Sequence, residues 1–345
     1  MQQTGKIMRI IDRLLPTHKI MEFPREFNSK ILPYFLLISI ILFASILKLH
    51  KSSLKSKYLS TQKMSDQCQV KLGHNNQFPT ILLLSFPGSG NTWVRFLIEQ
   101  STGFLTGSVY NDRNLHVNLL GELEDPKLKN TIVVKSHITG LSKKDKKEKS
   151  IIEFLKPSAC IFIMRNPKNA ILADFSRNLH RSHTTSLSEQ DLKNFNQNWS
   201  KFKKIKKEKG GQIWFTGWAE HYSRNVIENV CGGKVEIIWY ERIKESFDEL
   251  VGALNRTVGF LNRVNKVQEI DRDHPIKFRP NCLINNNQGF YHRKHLKTNI
   301  NNDVENYFTE SEKIEANALI GQVNDTFVDK FGLEAELPID YFFRL

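Results

Sequence analysis

The chain has 345 residues, 40% of them hydrophobic and 25% charged, a composition that excludes a protein disordered throughout. Fifty Lys and Arg against 36 Asp and Glu give a formal net charge of +14, which favours an anionic partner such as a nucleotide, an acidic glycan or a membrane surface. The sequence carries no helix-turn-helix, zinc-finger or aromatic RNA-binding pattern, so nucleic acid is not the expected partner.

One candidate membrane span lies near the N-terminus. Residues 31–47 carry no charged side chain, and at a rise of about 1.5 Å per residue they span roughly 26 Å, enough for a thin secretory-pathway bilayer. The preceding residues 1–30 are long for the n-region of a signal peptide, and no small-residue cleavage site follows, which favours a signal anchor. We predict a cytoplasmic tail at 1–30, a transmembrane signal anchor at 31–49 and a Lys/Ser/Gln-rich stem at 50–78. Positive charges are nearly balanced across the span, so they do not fix its orientation.

From residue 79 onward, short apolar runs alternate with helical stretches, which is typical of an α/β sheet with covering helices. The runs are uninterrupted, as buried parallel strands require. No Pro/Gly/Ser-rich linker divides this region, so we predict one domain over 79–345. The predicted strands are Thr80–Phe86, Thr131–Lys135, Ala159–Met164 and Val235–Tyr240, and the predicted helices are Thr92–Gln100, Pro167–Leu179, Gln212–Asn229 and Lys244–Leu261.

The first predicted strand leads through a loop of small residues directly into a helix. This arrangement aims backbone N–H groups and a helix N-terminus at a phosphate group, although a plain β-turn has a similar glycine content. A magnesium-ATP loop would place a lysine after the last glycine, where this chain has Asn91. Trp93 fits either a stack on an adenine ring or a place in the core. The residues expected to hold phosphate and base are Pro87, Gly88, Ser89, Gly90, Asn91, Thr92 and Trp93.

Four ordered segments together resemble the sulfotransferase family, which uses 3′-phosphoadenosine 5′-phosphosulfate (PAPS). The loop at 85–93 is similar to the family's 5′-phosphosulfate loop, and residues 163–170 (IMRNPKNA) resemble its 3′-phosphate motif. Residues 134–137 (VKSH) resemble its Lys-Thr-His segment, and residues 238–244 (IWYERIK) its Tyr-Glu-Asp-Leu-Lys segment. The closest branch is that of the WSC-domain-containing sulfotransferases, but four cysteines cannot build the WSC modules themselves.

The resemblance implies a P-loop-like parallel α/β sheet flanked by helices and a sulfuryl transfer from PAPS to a hydroxyl group. His137 would be the general base, because the pKa of histidine lies near working pH. Lys135, on the same strand face, would stabilise the transferring sulfonate. Arg165 offers a planar fork for the 3′-phosphate. A structural histidine, a strand-end lysine and a surface arginine are the plain alternatives for these three residues.

The chain departs from the family pattern at two positions. Gly88 stands where many members have a lysine or arginine that neutralises the leaving group, so its role would pass to Arg95, Lys135 or a C-terminal base. Ala173 stands at the family's serine position, and Ser176 or Arg177, one helical turn further, would substitute. Two basic-aromatic clusters, 277–280 and 291–294, are candidates for the loop that closes over the 3′-phosphate or are plain surface loops. We select Arg279 from the first.

Four cysteines, Cys68, Cys160, Cys231 and Cys282, are too few and dispersed for a disulfide scaffold or a zinc site, and we predict no metal site. Cys160 lies in an apolar run and is predicted to be a buried thiol. One disulfide among the other three is compatible with an oxidising lumen, with the pairing left open. The sequons at Asn198, Asn255 and Asn324 are likewise compatible with a luminal glycoprotein.

The prediction is a PAPS-dependent O-sulfotransferase of the Golgi membrane, single-pass type II, with its catalytic domain in the lumen. Its acceptor hydroxyl would be carried on a glycan, and the WSC-type branch suggests sialic acid as one candidate. The alternatives are a catalytically inactive nucleotide- or glycan-binding relative, motivated by Gly88 and Ala173, an ATP-dependent kinase, and a membrane-tethered interaction protein. The sequence leaves the oligomeric state open.

Overall fold

The structure, a computed structural model, describes residues 68–116, 119–137, 146–180, 189–208, 214–267, 275–284, 308–332 and 337–342. The chain divides into two compact units, Met1–Met64 and Ser65–Leu345. The predicted tail, signal anchor and first part of the stem lie outside the described residues. Within the described ranges, no helix combines the length and the apolar character needed to cross a bilayer.

Five parallel strands form one sheet in the order β2-β3-β1-β4-β5. Four of them occupy the predicted apolar runs, and β4 has the predicted bounds. The two-residue strand β2 was not predicted, because Gly-Ser carries no apolar run. The predicted parallel sheet is therefore confirmed. The strands are β1 Ile81–Ser85, β2 Gly107–Ser108, β3 Val134–Ser136, β4 Ala159–Met164 and β5 Val235–Trp239.

The helices connect these strands and cover both faces of the sheet. In chain order they are α1 Asn91–Thr102, α2 Arg113–His116, α3 Lys146–Leu155, α4 Pro167–His180, α5 Glu189–Lys193, α6 Phe195–Glu208, α7 Trp214–His221, α8 Arg224–Asn229, α9 Tyr240–Glu245, α10 Phe247–Val267, α11 Asn281–Ile284, α12 Glu310–Phe331 and α13 Ile339–Phe342. Short 3₁₀ turns lie at Leu120–Leu123 and Pro126–Leu128.

Alternate residues of the central strands pack into two separate cores, one on each face. In β1, Leu82 and Leu84 join the core with α6, α7 and α12, while Ile81 and Leu83 join the core with α1 and α10. This alternation follows from the period of two along a strand. Because both faces are covered, β4 is apolar at every position and β1 is apolar up to its last residue, Ser85.

The predicted helix Gln212–Asn229 is two helices in the structure, and its first two residues lie outside the described residues. Helix α7 ends at His221, and Ser223 adopts an extended conformation (φ −71°, ψ 156°) before α8 begins. Serine is a common residue at a helix start, although the Ser223 side chain makes no capping hydrogen bond here. The extended residue separates α7 from α8.

The end of the predicted stem packs against the globular unit. Lys71 donates its backbone N–H to Gly103 O (3.0 Å) and accepts from Leu105 N (2.9 Å). Cys68 is joined to Cys282 by a disulfide. Residues 68–78 therefore run along the end of α1 as part of the folded unit.

The prediction of a buried Cys160 thiol is wrong, because Cys160 forms a disulfide with Cys231. Both cysteines are fully buried, and the bond joins β4 to the turn before β5. The apolar run predicted the burial but gave no information on a partner 71 positions away in the sequence. Among the described residues no cysteine is free.

We expect the double variant Cys160→Ala/Cys231→Ala to lower the free energy of unfolding by about 2–5 kcal/mol, because the cross-link restricts the unfolded chain. Urea unfolding followed by circular dichroism measures the change. Reducing conditions should also lower the free energy of unfolding of the wild-type protein. An unchanged midpoint in the double variant would contradict this disulfide.

Candidate functional site

Most of the predicted site residues follow strands at the carboxyl edge of the parallel sheet. There β1 ends at Ser85, β3 is followed by His137, β4 by Arg165, and β5 by Tyr240. Ligands of open α/β sheets bind at this edge, where strand order reverses across the sheet. The register Leu84–Ser136 and Ser85–Ile163 brings the phosphate-type loop between the other segments.

The loop after β1 adopts a conformation that only glycine takes easily. Gly88 and Gly90 both have φ +86°, and a Cβ on Gly88 would lie 2.1 Å from Ala170 O. Gly90 precedes α1, and no side chain caps this helix. The first N–H groups of α1 lack intrahelical acceptors, so the helix start is suited to an anion.

Two of the predicted loop side chains turn toward the protein interior. Asn91 donates from Nδ2 to Ser85 Oγ (3.0 Å), and Ser89 is fully buried. Both were predicted to offer side-chain donors to phosphate. In this structure Asn91 instead ties the loop to the end of β1.

Arg165 braces the loop from the neighbouring strand. Its Nη1 donates to Gly88 O (2.7 Å), and its guanidinium lies 4.5 Å from the centre of the Tyr240 ring. Trp93 contacts the same ring edge-on, with the ring centres 5.7 Å apart. The Nε atom of Arg165 is buried and lacks a hydrogen-bond partner among the described residues. Tyr240 therefore supports both the arginine and the tryptophan predicted to contact the nucleotide.

His137 is held in one orientation at the end of β3. Its Nδ1 lies 2.6 Å from Ser85 O and therefore donates to it, which leaves the lone pair on Nε2. The backbone N–H of His137 donates to the Tyr110 hydroxyl (2.7 Å). Burial lowers the pKa of His137 well below 6.5, and the adjacent Lys135 ammonium lowers it further. The imidazole is therefore unprotonated at neutral pH.

Lys135 lies two residues before His137, on the same face of β3. Its Nζ is 5.3 Å from the centre of the Tyr110 ring, which also packs against the imidazole (5.4 Å between ring centres). Burial lowers the pKa of the Lys135 ammonium to about 8, with the Arg95 charge acting in the same direction. The structure thus brings the side chains of Lys135 and His137 together at the Tyr110 ring.

Arg95, a candidate for the missing cation of the loop, is bound elsewhere. Its guanidinium is fully buried and pairs with Glu122, and it also donates to Thr106 Oγ1 (2.8 Å) and Thr106 O (3.0 Å). These contacts hold the chain before β2 against α1. Arg95 cannot leave this pair without stranding a buried carboxylate.

Arg279 lies at the other end of α1 from the loop, so its predicted contact with the 3′-phosphate finds no support in this structure. It donates from Nη1 to Gln69 O (2.9 Å), and its guanidinium packs on Gly103. At a rise of about 1.5 Å per residue, the 12 residues of α1 separate it from the loop by roughly 17 Å. The second cluster, 291–294, lies outside the described residues.

Three further predicted positions lie on α4. Ala173 and Ser176 are buried, while Arg177 is half-exposed and forms an ion pair with Asp174. Arg177 is therefore occupied within its own helix. Ser176 accepts at its carbonyl oxygen from His180 Nδ1 (3.0 Å). The charge of Arg177 nevertheless lowers the pKa of both Lys135 and His137, so its guanidinium lies within electrostatic range of the site.

Sequence reasoning missed four residues around the site: Ser85, Tyr110, His221 and Tyr240. His221 is fully buried, and its Nε2 lies 2.8 Å from His137 O. Tyr110 and His221 stand in loops or helices far along the chain from the motifs, so no local pattern identified them. Tyr240 lies inside the predicted Tyr-Glu segment and was detectable as a motif member, although its supporting role was not.

The fold and site define an α/β protein with a glycine-containing loop, an uncapped helix start and a histidine at the carboxyl edge of its sheet. Among the described residues, no three or more His, Cys, Asp or Glu side chains stand close enough together to hold a metal ion.

Known proteins similar to this chain include several named WSCD family members. One from Aedes aegypti is 30% identical over 206 residues, which cover 56% of this chain and 60% of that protein. One from Drosophila pseudoobscura pseudoobscura is 30% identical over 159 residues, which cover 46% of this chain and 44% of that protein. The chain thus matches about half of the length of these curated relatives. No family model matches it.

Among solved structures, a mouse sulfotransferase complexed with PAP covers 76% of this chain and 90% of its own, with 18% identity and a TM-score of 0.39.

Proposed function

We propose that this protein is a sulfotransferase that takes its sulfuryl group from PAPS and gives it to a hydroxyl acceptor. The observation that carries the proposal is the geometry of His137, whose Nδ1 contact with Ser85 O fixes a neutral, basic Nε2 beside an uncapped helix start. The ordered sulfotransferase-like motifs and the similarity to WSCD family members support the same assignment.

The residues present fit a bound phosphate at the loop. The start of α1 offers N–H groups without intrahelical acceptors, and the buried Nε of Arg165 lacks a partner among the described residues. PAPS, when bound, supplies an activated sulfuryl group on a phosphate leaving group. The start of α1 and Arg165 would hold its phosphates, and Trp93 stands at the helix start where a base could stack.

His137 would accept the proton of the acceptor hydroxyl at Nε2, which makes the hydroxyl oxygen a better nucleophile. Lys135 supplies a cation beside it, in the position to balance negative charge that develops during transfer. Tyr110 orients both, because its hydroxyl accepts from the His137 backbone and its ring packs between their side chains. A glycan hydroxyl, with sialic acid as one candidate, is the proposed acceptor.

The two disulfides favour an oxidising compartment for the folded unit, because such bonds are rare in reducing cytosol. We therefore retain the proposal of a luminal catalytic domain in the Golgi, anchored by residues 31–49. Of the three sequons, Asn255 is exposed on α10, whereas Asn324 Oδ1 accepts from Leu337 N (2.8 Å).

A catalytically inactive PAPS-binding relative is the second candidate. The position of Gly88 leaves no space for the family's cationic side chain, and Arg95, one of its proposed substitutes, is paired with Glu122. Nucleotide binding without turnover on any hydroxyl acceptor would select this candidate over the enzyme.

Calorimetric titration of the full-length protein in detergent with 3′-phosphoadenosine 5′-phosphate (PAP) tests the proposal. We expect binding that Arg165→Ala weakens at least tenfold, about 1.4 kcal/mol. Arg224→Ala, which removes an exposed arginine paired with Asp329, is the matched control and should bind as the wild type does. Absence of PAP binding by the folded wild-type protein would overturn the assignment.

The pH dependence of turnover follows from the lowered pKa values of His137 and Lys135. His137 must be unprotonated to act as a base, so activity should fall with acidification only below pH 6.5. Lys135 must be protonated to act as a cation, so activity should also fall as pH rises through about 8. A profile of kcat/KM against pH measures both limits. Lys135→Arg should remove the alkaline limit, and an acid limit above pH 6.5 would contradict a neutral buried His137.

A further inference from the structure

A groove of about 530 Å³ lies near the amino edge of the sheet, opposite the carboxyl edge that carries the site described above. It is formed by the outer face of α10, the segment around Ile276–Phe278 and Glu236 near the start of β5. Because the strands are parallel, the start of β5 marks the amino edge, whereas the loop and His137 lie at the carboxyl edge. The groove is therefore a separate site.

The helix that lines the groove contains a seven-residue sequence repeat. Residues 251–256 read VGALNR and residues 258–263 read VGFLNR. The apolar members Leu254 and Leu261 are buried, so the glycines and arginines share the outer face. At a rise of about 1.5 Å per residue, equivalent positions of the two copies stand roughly 10.5 Å apart along the helix.

Each arginine of the repeat lies back along the helix over its own glycine. A Cβ on Gly252 would be 3.7 Å from Arg256 Nη1, and one on Gly259 would be 3.6 Å from Arg263 Nη1. Glycine is a poor residue for a helix interior. Because a glycine without a side chain lies beneath each arginine, both guanidinium groups can lie along the helix surface.

The other walls of the groove add a carboxylate and an aromatic ring. Glu236 Oε1 lies 3.9 Å from Arg256 Nε, and Phe278 is half-buried at the edge. Asn262 fixes the wall that carries this ring, because its amide donates to Ile276 O (2.9 Å) and accepts from Ile276 N (2.8 Å). Asn255 lines the exposed rim. The wall and the helix are thus held together without a ligand.

We propose that this groove binds an acidic saccharide chain. Planar guanidinium forks match carboxylate or sulfate groups, and their separation suits a chain with acidic groups on alternate sugars. Glu236 accepts hydrogen bonds from sugar hydroxyls, and the Phe278 ring offers an apolar surface to a sugar face. An anionic lipid surface or a simple polyanion would be repelled by the Glu236 carboxylate, which lies beside the two arginines.

The test measures binding of a hyaluronan octasaccharide to the full-length protein in detergent. The protein is made in the bacterial periplasm, where disulfides form and Asn255 carries no glycan. We expect binding to the wild type, no binding of a neutral dextran oligosaccharide, and at least tenfold weaker binding by Arg256→Gln/Arg263→Gln. Lys127→Gln/Lys330→Gln, which removes the same charge from distant exposed sites, should change little.

Glu236→Gln separates saccharide recognition from bulk charge attraction. A saccharide site loses a hydroxyl acceptor and should bind at least threefold more weakly, whereas attraction of a simple polyanion should strengthen when the negative charge is removed. Stronger binding by this variant, no hyaluronan binding by the wild type, or preferred binding to phosphatidylserine vesicles would each overturn the proposal. PAP titration of the same arginine variant should be unchanged, so this site and the proposed sulfotransferase site can fail independently.

Discussion

Replacing His137 with alanine should lower the rate of sulfuryl transfer by about 10²–10⁴-fold while leaving the affinity for PAP unchanged. The imidazole of His137 supplies a base at Nε2, whereas both ring nitrogens of the neighbouring His221 face carbonyl oxygens, those of Gly217 and His137. The contact that fixes this nitrogen is the 2.6 Å bond from Nδ1 to Ser85 O. Steady-state turnover and PAP calorimetry on the same protein separate the two effects.

His74→Ala is the matched control, because His74 is an exposed histidine outside the site. It should retain both turnover and PAP binding. If His137→Ala lost PAP affinity in parallel with turnover, His137 would shape the nucleotide site and would not be the base. Full turnover by a folded His137→Ala protein would exclude His137 from proton transfer altogether.

The sheet was predictable because its strands are buried on both faces. Four uninterrupted apolar runs identified β1, β3, β4 and β5, with errors of at most a few residues at their ends. The two-residue strand β2 was not predicted, because it has no hydrophobic pattern of its own. Buried contacts between Arg95 and Thr106 hold the residue that precedes it. Such long-range polar contacts leave no periodic signal in the sequence.

The C-terminal helix α12 was not predicted, although its start carries a readable signal. Thr309 and Glu312 form a capping box, in which each side chain bonds to the backbone of the other. Buried Ala316, Ile320, Val323 and Phe327 then recur at helical spacing. A search for capping pairs along the C-terminal region could have found this helix.

The loop and the histidine were predictable as local motifs, but the partners of distant cations were not. The sequence offered Arg95 as a candidate for the leaving-group cation and Arg279, from a basic-aromatic cluster, as a candidate ligand of the 3′-phosphate. Their actual partners, Glu122 and Gln69, come from segments that approach only in the folded chain. Tertiary pairing therefore decides which cations remain for a ligand.

Gly88→Lys should weaken PAP binding at least tenfold, about 1.4 kcal/mol, even though it introduces the residue that resembling sulfotransferases carry there. A Cβ at this position would lie 2.1 Å from Ala170 O and 2.9 Å from Asp174 N, both backbone atoms of α4. Backbone in a packed helix cannot turn aside as a flexible side chain can. The residue also has φ +86°, which L side chains rarely adopt.

Gly88→Ala distinguishes this steric effect from an effect of charge. It meets the same backbone atoms without adding a cation, so it should weaken PAP binding to a similar extent in the same calorimetric titration. Gly321→Ala, in the interior of α12 with nothing within 4 Å of the added Cβ, is the matched control and should bind PAP normally.

If Gly88→Lys instead raised turnover, α4 would have space for a side chain beside the loop, and the leaving-group cation would be the element that this chain lacks. Equal losses in the two Gly88 variants would mean that α4 packs against the loop closely enough to exclude that cation, so Lys135 would have to supply the charge.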